Sequence, residues 1–247
     1  MTPRRNISLI VEYDGTNYHG WQCQPNGVTL QEVVQGKIEM ILDHPIKIYA
    51  AGRTDAGVHA FGQVINFFTE KTIELVKLTR GLNSLLPADI RIRQGREVDE
   101  SFHARYSAKS KSYIYAMFNA SYLPPFNARY VWHIPYMVNS TLMNETIHEI
   151  VGTHDFSSFK KKDEFYRNHE REVLRAGVKR RGAFIYIFIE ATGFLRYMVR
   201  NIVGTLVLVG SGKISKDEFI AILDSRDRVK AGPTAPPQGL FLRRVKY

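Results

Sequence analysis

Cysteine is nearly absent from this sequence: Cys23 stands alone among 247 residues. An intrachain disulfide is therefore excluded, and so is a zinc site built from cysteines. A single cysteine favours a reducing compartment, so we expect the protein to be cytoplasmic. The longest apolar segment, around residues 202–209, is too short to cross a bilayer, and no signal-peptide pattern follows Met1. We therefore expect no membrane partner.

Phosphate-binding and metal-binding patterns are also lacking. No glycine-rich loop of the P-loop or dinucleotide-binding type occurs, and the eight histidines lack a metal-ligand spacing. We expect neither a cofactor nor a metal.

Acidic residues are in the minority, with 24 Asp and Glu against 34 Lys and Arg, a net charge of +10. The cations are spread along the chain instead of forming one basic tail. Such a charge suggests a polyanionic partner, nucleic acid or anionic membrane, and favours a folded surface that follows a phosphate backbone. A generally basic surface is the alternative.

Hydrophobic periodicity gives the first half of the chain the order strand, helix, strand, strand, helix, strand. The strands are expected at residues 7–13, 46–50, 64–68 and 90–97, and Thr29 and Thr72 are expected to cap the two helices. This order is the ferredoxin-like split βαβ pattern. It predicts an antiparallel sheet with helices on one face and the other face free for RNA.

The second half repeats the pattern loosely. It has strands at 113–119 and 240–245, a hairpin of 173–179 and 183–191, and helices at 140–151, from Leu195 to Leu206, and after Ser215. We read residues 160–171 as an exposed charged loop. The predicted class is α+β: two fused ferredoxin-like lobes, residues 1–105 and 106–247. They share a continuous, mainly antiparallel sheet with helices on one face and an RNA-binding cleft on the other.

The stretch from Gly52 to Ala60 holds one carboxylate, Asp55, between two glycines and close to Arg53. Glycines permit a tight loop, and an arginine can keep a carboxylate ionised or hold a phosphate. On spacing alone, Asp55 is typical of a turn or capping residue and His59 of a loop residue bonded to the backbone, and Arg53 could be a plain ion-pair partner of Asp55.

Three further motifs combine aromatic, basic and apolar residues. Phe102 to Ala108 leads to Tyr113, a helix carries Arg196 and Arg200 four residues apart, and Leu240 follows a Pro-Pro-Gln-Gly run. Each has a structural alternative: a core aromatic on a strand, a surface arginine and a core leucine.

Together these strings resemble the TruA family of tRNA pseudouridine synthases over nearly the whole chain. The resemblance implies a catalytic aspartate at Asp55, an active-site tyrosine at Tyr113, an arginine that pairs with the aspartate at Arg200, and a leucine lining the uracil pocket at Leu240. It gives Arg53 a role in flipping the target base, and substrate contacts to His59, Arg105 and Lys111. Lys111 departs from the family, which usually has arginine there.

The implied function is conversion of uridine to pseudouridine at positions 38, 39 and 40 of the tRNA anticodon arm, by a homodimer. A tRNA-binding or folding-helper protein without turnover is the alternative. A carboxylate hydrolase would need a second positioned acid, and only Asp14, in a turn, is available in the matched motifs.

Overall fold

The computed structural model describes residues 4–162 and 168–247. The predicted charged loop 160–171 therefore lies partly outside the described residues. The chain forms two compact units. The first consists of the residues up to Lys109 together with Leu242–Tyr247, and the second is Ser110–Phe241.

The first unit contains β1 (Arg5–Tyr13), α1 (Leu30–Leu42), β2 (Tyr49–Ala50), β3 (His59–Thr69), α2 (Leu75–Leu85) and β4 (Ile90–Val98). The strands lie in the order β4-β1-β3-β2, and each neighbouring pair is antiparallel. This order and pairing agree with the predicted ferredoxin-like pattern.

Helix α1 forms because apolar residues recur every four positions, Leu30, Val34, Ile38 and Leu42, and all of them are buried. The Thr29 side chain accepts a hydrogen bond from the Glu32 N–H, as the sequence predicted.

Helix α2 begins later than predicted. Its N-cap is Glu74, and no side chain caps it, so the predicted cap at Thr72 is wrong. Leu78 and Leu82 hold the helix by burial, because tertiary packing supplies most of a helix's stability.

The sheet face opposite these helices is partly covered. Asn6 and Asn66, two buried residues on that face, hold the segment after β4. Asn6 Nδ2 donates to the carbonyls of Asp99 and Phe102 at 2.9 Å, and Asn66 Oδ1 accepts from the Ala104 N–H at 2.8 Å. This part of the face is therefore occupied by the chain itself.

The second unit contains β5 (Ser110–Asn119), β6 (Trp132–Ile134), α3 (Ser140–Ile147), β7 (Gly152–Asp155), β8 (Glu170–Arg181), β9 (Phe184–Ala191), α4 (Met198–Gly210) and α5 (Lys216–Asp224). Its strand order is β5-β9-β8-β7, all antiparallel, with the short β6 parallel to β5. Strand β10 (Leu240–Lys246) starts here and continues in the first unit.

The predicted class, a mixed chain of helices and strands with a large, mainly antiparallel sheet, is confirmed. The capping box at Ser215 is present, while α3 ends at Ile147, short of the predicted 151. Strands β6 and β7 were not predicted, because three or four residues are too few to display a period of two. Among the described residues, no helix is long and apolar enough to span a membrane.

Candidate active site

Asp55 lies in the loop between β2 and β3, where the sequence placed it. Its side chain is half-buried, and Arg53 beside it is exposed. The Val58 N–H donates to the Asp55 carbonyl at 3.2 Å, and Gly57 has a φ of +75°, which a residue with a Cβ rarely adopts. The carboxylate therefore sits on a tight turn.

The segment 13–21 fastens this loop. The Trp21 N–H donates to the Thr54 carbonyl at 3.0 Å, and the Gly57 N–H donates to the Tyr18 carbonyl at 3.4 Å. A Cβ at Gly20 would lie 2.7 Å from the Thr54 carbonyl oxygen. Backbone atoms on both sides of Asp55 are thus held by backbone atoms of another segment.

A close approach at Gly15 holds the far end of the loop. A Cβ there would come within 2.0 Å of the Val58 carbonyl oxygen, so only glycine fits. The sequence alone gave the Tyr13-Asp14-Gly15 and Gly20-Trp21-Gln22 strings no part in the chemistry. The structure makes them the support of the Asp55 loop.

Two side-chain contacts complete this support. The Tyr13 and Thr54 hydroxyls are hydrogen-bonded at 2.8 Å in a buried environment. The Gly15 N–H donates to Nδ1 of His59 at 3.0 Å, and Oδ1 of Asp14 lies 3.1 Å from the same nitrogen. His59 is 1% exposed, and its predicted contact with the substrate stays a prediction.

Burial raises the pKa of Tyr13 above its ordinary value, and the hydrogen bonds with Thr54 and Gln63 lower it by less. Burial likewise raises the pKa of Tyr18, and Asp89, whose Oδ1 accepts from the Tyr18 hydroxyl at 2.7 Å, raises it further. Both hydroxyls therefore keep their protons at neutral pH.

In the second unit, Tyr113 lies on β5, opposite Ile189 of β9. It is buried, and its ring meets Phe194 edge to face with ring centroids 5.0 Å apart. Lys111, two residues earlier, points to the same side of the strand as Tyr113, because side chains alternate along a strand.

Arg200 lies in α4, and its orientation is set by the segment before Leu240. Its Nε donates to the Ala235 carbonyl at 2.7 Å, and the Ala235 N–H donates to the Arg200 carbonyl at 3.1 Å. The next carbonyl along, that of Pro236, accepts from the Tyr115 hydroxyl at 2.7 Å. Two consecutive carbonyl groups, those of Ala235 and Pro236, therefore connect the segment leading to Leu240 with helix α4 and with strand β5.

Leu240 follows a single 3-10 turn, Pro237–Gly239, and is buried. Gly239 permits this turn to lie against β5, since a Cβ there would be 2.7 Å from the Ala116 carbonyl oxygen and from the Tyr115 ring. Tyr115 was missed by the sequence analysis as a positioning residue. Its alternation with Tyr113 on one face of the strand was the available signal.

The predicted placement of Arg196 and Arg200 on one side of a helix is wrong. Helix α4 begins at Met198, and Tyr197 precedes it with a φ of +66°. The helical i, i+4 relation therefore does not apply to Arg196. Both guanidinium groups nevertheless lie near the Tyr197 ring, at 5.5 and 4.8 Å from its centroid.

The sequence pattern of a family described as tRNA pseudouridine synthase matches residues 9–107 and 147–247. These two segments cover most of the chain. The chain belongs to this tRNA pseudouridine synthase family. The matched residues include Asp55 and Arg53 in the first segment and Arg200 and Leu240 in the second, whereas Tyr113 and Lys111 lie between the segments.

Relatives in the tRNA pseudouridine synthase family also match the stretch between these two segments, which contains Tyr113 and Lys111. A tRNA pseudouridine synthase A from Thermoanaerobacter sp. (strain X514) is 49% identical over 243 residues, 98% of this chain and 100% of the relative. Proteins of the same name from Geotalea uraniireducens and Acetivibrio thermocellus are 43% and 41% identical over the same shares of both chains. The resemblance to this family noted in the sequence is thereby confirmed.

Proposed function

We propose that this chain converts uridine to pseudouridine in the anticodon stem-loop of tRNA, at positions 38, 39 and 40. The observation that carries the proposal is the fixed position of Asp55, a half-buried carboxylate on a loop that another segment holds by backbone hydrogen bonds. A reacting group must be held in place to be effective, and such a support supplies that.

The reaction needs no external oxidant or reductant. The C1′–N1 bond of the uridine breaks, the uracil turns, C5 bonds to C1′, and the proton on C5 is lost while N1 gains one. The carboxylate of Asp55 acts on the sugar as nucleophile, as base toward the ribose, or by stabilising positive charge near C1′. No cofactor or metal is required for this balance.

The other proposed roles follow the chemistry of each side chain. Arg53, exposed beside Asp55, helps to extrude the base from its stack. Tyr113 stacks on the uracil and takes part in proton transfer at C5. Arg200 supplies the positive charge that favours the ionised carboxylate. Leu240 lines the uracil pocket.

The remaining residues proposed for substrate binding are His59, Arg105 and Lys111. Arg105 is exposed and Lys111 is half-buried, and both carry charge that suits phosphate. His59 is buried, so we propose that it acts on the substrate only through the turn it holds.

For the whole molecule, we propose that the lobe of residues 1–105 carries the catalytic loop and that the lobe of residues 106–247 completes the active site. We further propose a homodimer in the cytoplasm. Sedimentation equilibrium tests the dimer directly: the mass of a single chain at micromolar concentration would contradict it.

The function is tested with a tRNA transcript that carries tritium at C5 of the uridines in its anticodon arm, without added metal or cofactor. We expect tritium release by the wild type and by Asp43→Asn, and none by Asp55→Asn. Asp43 is a suitable control because it is exposed in the same unit and its left-handed backbone suits asparagine. Tritium release by Asp55→Asn would overturn the assignment. Tight tRNA binding without release by any variant would favour the non-catalytic alternative.

A further inference from the structure

Three aromatic rings of the first unit lie in a row on its surface. The Tyr49 and His103 ring centroids are 4.7 Å apart, and those of His103 and Tyr106 are 4.4 Å apart. Tyr106, at the end of the row, is 76% exposed. We call these three side chains the ring platform. Aromatic side chains grouped at a surface mark a binding site, whereas a single exposed ring does not.

The backbone around the ring platform is firmly held. Nδ1 of His103 accepts from the N–H groups of Arg105 and Tyr106, at 3.1 and 3.4 Å. The His103 N–H donates to Ser107 Oγ at 3.0 Å, and the Ser107 N–H returns a bond to the His103 carbonyl at 2.9 Å. The His103 ring and the backbone that carries Tyr106 are therefore held before any ligand arrives, which reduces the entropy cost of binding.

The histidine within the ring platform is neutral. Partial burial lowers the pKa of His103, its own backbone bonding raises it by less, and the nearby Arg105 lowers it by a smaller amount again. Its Nδ1, which accepts two backbone hydrogen bonds, therefore carries no proton. A neutral His103 ring in contact with both tyrosine rings adds no charge that would have to be desolvated when a base binds.

Two cations lie beside the tyrosines of the ring platform. The Arg105 guanidinium is 5.6 Å from the Tyr106 ring, and Lys47 Nζ is 5.4 Å from the Tyr49 ring. Tyr49 and Lys47 also line a cavity of about 500 Å³ whose walls include Arg4, His44, Phe68 and Glu70. The Arg4 guanidinium lies 3.9 Å from the Phe68 ring centroid. Three rings of the platform and the cavity, those of Tyr106, Tyr49 and Phe68, thus each have a cation beside them.

Aromatic rings with cations beside them suit one class of ligand. Unstacked bases offer flat faces to rings, and their phosphates offer charge to lysine and arginine, so the combination is typical of single-stranded nucleic-acid binding. We propose that the ring platform binds an unstacked nucleotide of the RNA substrate, with the base on Tyr106 and flanking phosphates at Arg105 and Lys47. This inference rests on the proposed function for its RNA, and it assigns a contact apart from the reacting uridine.

The test compares Tyr106→Ala, Tyr106→Phe and Tyr122→Ala by the dissociation constants of an unmodified tRNA transcript and of a short single-stranded oligouridylate. Tyr122 is the matched control, since it is 70% exposed and belongs to neither the platform nor the cavity. We expect Tyr106→Ala to weaken binding of both RNAs about ten-fold, because a stacked base is lost. Tyr106→Phe, which keeps the ring, and Tyr122→Ala stay within about two-fold of wild type.

A second measurement concerns charge. The logarithm of the affinity falls as the logarithm of the salt concentration rises. For the oligouridylate, Arg105→Gln should make this fall shallower by about 0.7, the effect of one lost phosphate contact. Unchanged affinity of Tyr106→Ala for both RNAs overturns the ring platform, and so does an equal loss in Tyr106→Phe, because the ring would then not be what binds.

The two proposals can fail separately. Wild-type tritium release together with undiminished RNA binding by Tyr106→Ala overturns the platform alone. Weakened RNA binding by Tyr106→Ala supports the platform even where the wild type releases no tritium, in which case only the isomerase assignment fails.

Discussion

The Thr54 carbonyl, one residue before Asp55, accepts a hydrogen bond from the backbone N–H of Trp21 at 3.0 Å. Gly20, the neighbour of Trp21, has a φ of +88°, and a Cβ there would lie 2.7 Å from the same carbonyl oxygen. The position of the candidate catalytic carboxylate therefore depends on a glycine thirty-five residues away in the chain.

We predict that Gly20→Ala lowers tritium release about a hundred-fold or more, since a shift of about 1 Å at a reacting group can cost that much. Gly182→Ala is the control. Gly182 also has a positive φ, of +57°, but a Cβ there would meet nothing within 4 Å. Both variants carry backbone strain, so comparable losses of activity in the two would contradict the role of the close contact.

Tyr13→Phe removes a buried hydroxyl bonded to Thr54. We expect it to lower the free energy of unfolding at neutral pH by about 1 kcal/mol, because the Thr54 hydroxyl is left without this partner. Urea denaturation of both proteins at the same pH measures the difference. A larger free energy of unfolding for Tyr13→Phe would show that the hydrogen bond between Tyr13 and Thr54 does not stabilise the folded protein.

The pH dependence of stability follows from the same residue. Below about pH 10 the Tyr13 hydroxyl is protonated in both states, and its contribution to stability is fully present. Above that pH the unfolded chain loses the proton while the folded chain keeps it, because burial raises the folded pKa. The wild-type free energy of unfolding should then fall more steeply than that of Tyr13→Phe, by about 1.4 kcal/mol per pH unit. If the free energies of unfolding of the two proteins fell with the same slope above pH 10, the raised pKa of Tyr13 in the folded protein would be ruled out.

Asn201 organises the start of α4. Its Nδ2 donates to the carbonyls of Phe159 and Lys160 at 2.8 and 3.0 Å, and its Oδ1 accepts from Thr234 and Arg228 at 2.6 and 3.1 Å. We predict that Asn201→Ala lowers the free energy of unfolding by about 3 kcal/mol, since several buried polar groups lose their partner. Asn26→Ala, at an exposed position, should stay within about 0.5 kcal/mol of wild type. Equal stability of the two variants would show that the network contributes little.

Arg200→Lys keeps the positive charge but cannot reproduce the guanidinium geometry that bonds the Ala235 carbonyl. We expect turnover to fall about ten-fold or more while the thermal midpoint changes little. Arg175→Lys, on an exposed strand position, tests whether any arginine would give the same result. Wild-type turnover by Arg200→Lys would mean that charge alone is sufficient.

The sequence by itself determined the order of the longer helices and strands and the loop that carries Asp55. Helix α1 and the capping box of α5 were readable because both depend on residues at most four positions apart. The family was readable as well, because its motifs are short contiguous strings.

Only the tertiary structure decided which of those motifs and distant segments contact one another. The fastening of the Asp55 loop by Gly15 and Gly20, and the bond from Arg200 to Ala235, join residues between thirty and fifty positions apart. Periodicity carries no information about such contacts. The start of α4 after Arg196, and the row of Tyr49, His103 and Tyr106, were hidden for the same reason: packing between distant segments chooses the backbone conformation and the neighbours of each side chain.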